Sequence, residues 1–183
     1  MLKFILYIIN KKIKIKLNKI QNSKILIFDG TSLNDLEFLL EKYEYTVLEN
    51  RFWRIKEVNL SLKTSVELIK NLVCLTLDRK RISLSILYLY TIIKLVKPKV
   101  ILTSVDNSLQ FHQLAKLLHE KIIFFAIQNA NRLDYLNNEY NIKNSLSNID
   151  YNSHIFIPNL ICFGDIEEKL AKKLNLNIKN FLK

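Results

Sequence analysis

Short apolar runs alternate with amphipathic stretches along most of this chain. Lys24-Ile25-Leu26-Ile27-Phe28 is a continuous apolar run that stops at Asp29-Gly30-Thr31, as a strand buried on both faces and closed by a tight turn would. Ser32 with Asp35 spells a capping box, and Leu33, Leu36, Leu40 and Tyr43 follow at helical spacing. Thr46 to Glu49 predicts a second short strand, with a loop from Arg51 to Asn59 after it. A stripe of Leu62, Val66, Ile69, Val73 and Leu77 marks a long helix. Beyond the basic turn Arg79-Lys80-Arg81, Ser83 caps a further helix with the stripe Leu84, Leu87, Tyr88, Thr91 and Leu95. That helix ends just before Pro98, whose ring disfavours helix at the preceding residue.

The alternation continues. Val100 to Val105 predicts a third strand, broken at Asp106-Asn107 before a helix carrying Phe111, Leu114, Ala115 and Leu118. Ile122 to Ile127 is a fourth strand ending at Gln128-Asn129, and the polar stretch Asn131 to Ser153 reads as a loop excursion. Leu160 to Phe163 forms a fifth strand. Gly164 then turns into a helix that Asp165 caps, Glu168 closes as a box, and Leu170 and Leu174 stripe. Strands alternating with helices predict an α/β domain: a doubly wound, Rossmann-like parallel sheet of about five strands with helices on both faces. The expected division is a basic N-terminal segment over 1–23 and one Rossmann-like domain over 24–183.

Composition narrows the chemistry. The 183 residues contain two glycines, where average usage of about 7% predicts roughly a dozen. Neither a G-x-G-x-x-G fingerprint nor a Walker-type loop can be written with Gly30 and Gly164 alone. Both fall at strand-to-helix turns, where a residue without a Cβ adopts positive φ or lets a partner approach closely. Cys74 and Cys162 lie far apart among apolar neighbours and read as buried, reduced thiols.

Charge is uneven. The formal net charge is +11, and residues 1–24 carry seven lysines and no acid. Within that arm, Lys12 to Leu17 alternates as an edge strand would, while Ile9, Ile13, Leu17 and Ile20 also fit a helical stripe, so its secondary structure stays open. Phe4 to Ile9 is too short to span a bilayer, and the lysines follow it, the reverse of a secretory signal. The expected location is the cytoplasm; the lysine-dense arm reads first as a solvated structural element and, as the alternative, as a peripheral contact of residues 1–20 with the anionic inner face of the cytoplasmic membrane. No recognition motif accompanies the basic arm, so no nucleic-acid partner is expected.

In open α/β sheets a ligand sits outside the carboxyl ends of the strands, near the point where strand order reverses. Asp29, Gly30 and Thr31 follow the first strand, Asp106 and Asn107 the third, Gln128, Asn129 and Arg132 the fourth, Gly164 and Asp165 the fifth. Helix N-termini beginning beside them present N–H groups to an anion, and Arg132 adds a bidentate clamp. Singly, each Asp or Asn there is an ordinary cap or turn; their coincidence on one edge carries the functional reading. His112, His119 and His154 lack a carboxylate or thiol at ligand spacing, so neither a metal nor another cofactor is expected. Phe52 and Trp53 pack in a loop or stack a sugar or base.

Certain of these strings resemble a known family. Lys97 to Thr103, Val105-Asp106-Asn107-Ser108, Phe111, and Ala126-Ile127-Gln128-Asn129-Ala130-Asn131-Arg132 are similar to the N-terminal half of bacterial surface-carbohydrate biosynthesis proteins, the glycosyltransferase-like proteins of capsule and lipopolysaccharide clusters. Asp29-Gly30, Glu57-Val58-Asn59-Leu60 and Cys162-Phe163-Gly164 before an acidic helix resemble the same family, over roughly 24–175. The resemblance implies a GT-B-like pair of Rossmann-like domains with the active site between them, of which this chain supplies the first.

The implied function is that of an acceptor-side domain, truncated or half of a split enzyme, that faces a glycan acceptor while a missing C-terminal domain holds the nucleotide-sugar donor. Asp106 becomes the candidate catalytic base or acceptor hydrogen-bond partner, and Asp29, Gly30, Glu57, Asn107, Gln128, Asn129 and Arg132 the candidate substrate-binding set. The chain departs from the family pattern at Ala130, where a glycine follows Gln-Asn in the family, and again beside the arginine preceding its glutamate, where the family glycine is replaced by a bulkier residue. Both departures weigh against activity of this chain alone. The competing expectation is a non-catalytic Rossmann-like module that binds a nucleotide or a protein.

Overall fold

A computed structural model describes residues 14–18, 20–48, 50–51, 54–55, 57–77, 82–128, 155–173 and 176–183. Expectations for the 131–153 loop, Phe52-Trp53, Arg79 to Arg81, Asn129, Arg132 and His154 fall outside them. Fifteen elements follow in chain order: β1 (Lys14–Lys16), β2 (Ile25–Ile27), α1 (Ser32–Leu40), β3 (Tyr45–Val47), β4 (Asn50–Arg51), β5 (Arg54–Ile55), β6 (Glu57–Asn59), α2 (Leu62–Leu77), α3 (Leu84–Val96), β7 (Val100–Thr103), α4 (Leu109–Leu118), β8 (Ile123–Ile127), β9 (Ile157–Ile161), α5 (Asp165–Lys173) and β10 (Ile178–Leu182).

Six strands form the main sheet in the order β10-β9-β8-β7-β2-β3, every neighbour parallel. The chain starts at β2, steps outward to β3, then crosses back to β7 and proceeds through β8 and β9 to β10. Strand order therefore reverses between β2 and β7, where Ile25, Leu26 and Ile27 pair with Val100, Ile101 and Leu102. Alternation along these strands sorts the residues onto two faces. Leu26, Phe28, Ile101, Phe124, Ala126 and Leu160 join α3 and α4 in the larger core, while Ile25, Ile27, Leu102 and Ile127 meet Leu33, Leu36 and Leu40 of α1. Three rings knit the larger core edge to face: Phe28 to Phe111 at 5.6 Å and Phe111 to Phe124 at 5.4 Å between centroids.

The doubly wound parallel sheet is as the alternation predicts, with one strand more. β10 escapes the sequence pattern because it is an edge strand whose Asn180 contributes through its amide, donating to the Asn159 side chain at 2.9 Å and the Pro158 carbonyl at 3.2 Å. The stretch 51–59, expected as loop, instead holds β5 and β6 and the end of β4. β4 and β5 form a small antiparallel pair, and β6 pairs with β1 in parallel, Lys14 opposite Glu57 and Lys16 opposite Asn59. The basic arm thus contributes a strand, which resolves its ambiguity over Lys14–Lys16.

Two local expectations need correction. Asp35 does not close a capping box: Thr31 occupies the cap position of α1 in helical conformation without a side-chain capping bond, and the Asp35 carboxylate accepts from Ser104 Oγ at 2.7 Å. Long-range partnering across the sheet edge has displaced the local cap. Cys74 is exposed, because α2 covers the core with its opposite face; Cys162 is buried as expected.

α2 itself lies where its stripe predicts, but turned over. Thr64, Leu68, Asn71 and Leu75 form the inward face, Thr64, Asn71 and Leu75 buried, while Leu62 is 83% exposed, Ile69 52% and Val73 51%. Its inward polar residues are occupied. Thr64 joins Ser61 and Asn59 in the cap, Thr64 N donating to Ser61 Oγ at 3.3 Å and Thr64 Oγ1 to Asn59 Oδ1 at 2.8 Å. Asn71 Nδ2 donates to Thr91 Oγ1 on α3 at 3.1 Å. α3 keeps its expected cap, Ser83 Oγ accepting from Ile86 N at 3.3 Å, and ends on Lys97 in the left-handed conformation before Pro98.

Candidate functional site

The reversal of strand order between β2 and β7 opens the sheet edge at one place. Two crossovers leave in opposite directions there, the arrangement in which an open α/β sheet forms a crevice outside its carboxyl ends. After β2 the chain turns on Asp29, which is buried; its Oδ1 accepts from Thr31 N at 2.8 Å and Thr31 Oγ1 at 2.7 Å. This Asx turn feeds α1. Gly30 follows Asp29 without positive φ; of the two glycines Gly164 has it, at 151°, so the backbone requirement for glycine holds at the β9 turn and not at the β2 turn.

After β7 the chain runs through buried Ser104, Val105 and Asp106, then exposed Asn107, to Ser108, whose Oγ caps α4 by accepting from Phe111 N at 3.4 Å. The two strand ends are bound directly to each other. Ser104 N donates to Ser32 Oγ at 2.9 Å, and the two hydroxyl oxygens lie 3.1 Å apart. With Asp35 accepting from Ser104, the start of α1 is locked to the end of β7.

Gln128, at the end of β8, is buried and structural in its visible bonds: its N–H donates to Ile161 O at 2.9 Å and its Oε1 accepts from Phe163 N at 3.4 Å. It therefore splices the β8 and β9 ends. Gly164 follows Phe163 and leads into α5. Asp165 and Glu168, expected as its capping pair, are instead drawn together by Lys183, whose Nζ bonds Asp165 and lies 3.2 Å from Glu168. The Lys183 hydrogen bond lowers the Asp165 pKa, while those from Lys172 and then Lys183 lower that of Glu168.

The expected constellation is thus brought together in part. Asp29, Gly30, Asp106, Asn107 and Gln128 all follow carboxyl ends of the main sheet, the first four at its reversal point. Glu57 stands apart, in the β1–β6 pair rather than at an end of the six-stranded ladder. Asn129 and Arg132 lie outside the described residues.

Sequence reasoning read Ser32 and Asp35 only as a capping box and did not single out Ser104, because the hydrogen bonds that join them span about 70 positions; no local spacing announces that link. It did not single out Gln110 and weighed His112 only as a metal ligand; both are buried on α4, with His112 Nδ1 3.3 Å from Phe156 O. Among the described residues no group of three or more His, Cys, Asp or Glu side chains is placed to hold a metal, and no helix is long and apolar enough to cross a membrane.

Fold and edge together define a Rossmann-like α/β domain with a polar, turn-rich carboxyl edge at its reversal point. Comparison with protein-family models, with curated proteins and with solved structures finds no match.

Proposed function

We propose that this chain is the acceptor-side domain of a glycosyltransferase of bacterial surface-polysaccharide assembly, completed by a second α/β domain that carries the nucleotide-sugar site. The observation that supports the reading is the placing of Asp29, Asp106 and Asn107 together at the strand-order reversal, where an open α/β sheet receives its ligand. In the proposed reaction an acceptor hydroxyl oxygen attacks the anomeric carbon of the sugar. The bond from that carbon to the nucleoside diphosphate breaks, the diphosphate leaves with the electron pair, and Asp106 takes the hydroxyl proton. Asn107 hydrogen-bonds the acceptor, and Arg132 with Asn129 receives an anionic group. Asp29, held by Thr31, keeps the β2 turn in the shape that borders the acceptor.

The test is transfer by the chain paired with its second domain, read as nucleoside diphosphate released from a panel of nucleotide-sugars in the presence of extracted glycolipid acceptors. Asp106→Asn is expected to slow release by roughly a hundredfold or more while leaving the thermal midpoint in place. Undiminished release removes Asp106 from the chemistry. If no second α/β domain is encoded beside this one and the chain alone binds a nucleotide or a protein tightly, the transferase reading falls and a binding module replaces it.

A further inference from the structure

The face of α2 turned away from the core is an apolar stripe in water. Leu62, Val66, Ile69 and Val73 recur at helical spacing and are 83%, 44%, 52% and 51% exposed, with Leu72 beside them at 44%. Inward burial cannot account for them, since Thr64, Leu68, Asn71 and Leu75 occupy the opposite side of the helix. The stripe does not end at the helix. Leu60 N donates to Lys16 O at 2.8 Å and Asn59 Nδ2 to Asn18 O at 2.7 Å, which sets the end of β1 against the start of α2. There Ile15 is 53% and Leu17 70% exposed.

The charges around this surface are mostly of one sign. Lys14 and Lys16 on β1 and Lys63 and Lys70 on α2 are exposed, against Glu67, which lies 3.9 Å from Lys70, and Glu57, whose position in β6 is opposite Lys14. An exposed apolar stripe flanked by lysines, on a chain of net charge +11, is complementary to an anionic bilayer surface: aliphatic side chains enter the headgroup boundary while the ammonium groups stay with the phosphates.

We propose that α2, with the adjoining end of β1, docks the protein on an anionic membrane surface through Leu62, Val66, Ile69 and Val73. The contact is in-plane and peripheral. It differs from purely electrostatic attraction through the basic arm in having an apolar component that salt does not screen. It stands independently of the transferase reading, and either can fail without the other.

Flotation of the full chain with vesicles tests it, using phosphatidylcholine alone and phosphatidylcholine with about 30% phosphatidylglycerol. Val66→Ser/Ile69→Ser/Val73→Ser leaves every charge in place and alters only exposed positions, so folding, checked by thermal melting, is expected to persist. The wild type is expected to float with the anionic vesicles and to retain part of that binding at about 0.5 M salt. The triple variant is expected to bind at least about tenfold more weakly and to lose the salt-resistant part. Equal binding by variant and wild type, or no flotation of the wild type, overturns the proposal. So does a wild-type mass in solution twice that of the variant, which assigns the stripe to a second copy of the chain.

Discussion

Asn71 shows how a single polar residue joins two helices that are otherwise held by apolar contact. Its amide nitrogen donates to Thr91 Oγ1 at 3.1 Å, Thr91 in turn donates to Leu87 O at 2.8 Å, and Lys94 Nζ donates to Asn71 Oδ1 at 3.2 Å. Asn71→Ala empties a buried site and strips Thr91 of its donor. We expect a loss of about 1–2 kcal/mol in equilibrium urea unfolding. Asn71→Leu refills the volume with apolar atoms, and Thr91 keeps its bond to Leu87, so its stability is expected within about 0.5 kcal/mol of wild type. If both variants fall equally, the amide itself is what the α2–α3 contact requires. Nothing in the local sequence announces this residue: Asn71 sits amid Lys70 and Leu72 and acquires its role from a partner 20 positions away.

Elements were legible where local chemistry decides them, and misread where a partner does. α3 follows its cap and its Pro98 stop, and the five expected strands fall within a few residues of their runs. α2 exists where its stripe predicts, yet that stripe faces outward, since period fixes the length of a helix but not which of its faces meets the core. α5 and β10 offer a measurable case. Asp165 and Glu168 have carboxyl pKa values lowered, the first by its hydrogen bond from Lys183, the second by those from Lys172 and Lys183; Lys183 has its own raised by Asp165 and then Glu168. Lowered carboxyl values contribute stability present above the ordinary carboxylate range and lost as pH falls through the folded values. A raised lysine value contributes stability present below the ordinary lysine range and lost as pH rises through its folded value. The clamp therefore acts between those two ranges. The gap in urea midpoint between wild type and Lys183→Ala is expected to be widest near neutral pH, to close toward about pH 3, and to shrink in about 1 M salt. A gap independent of pH and salt shows that Lys183 acts through packing.

At the scale of the molecule, the class of fold was readable because strands and helices alternate with few interruptions, and so was the edge at which polar residues gather. The order of the strands was not. That β2 lies between β3 and β7 is a fact of long-range pairing, as is the lock of Ser32 and Asp35 on Ser104. A fragment ending at residue 97 contains β2, β3, α1, α2 and α3 but neither β7 nor the Phe111 ring that meets Phe28 and is met in turn by Phe124. It is expected to show no cooperative thermal transition by circular dichroism; a sharp one means that the first half is a folding unit of its own. The same placement of β2 has a bearing on synthesis. Ile25 meets Val100, so on a ribosome this inner strand of the sheet emerges about 75 residues before the neighbour that completes it, several seconds earlier at ordinary elongation rates. For that interval one edge of β2, with its apolar side chains, has nothing native to pair with. The nascent chain is then most exposed to chaperones, and to premature association with its own copies.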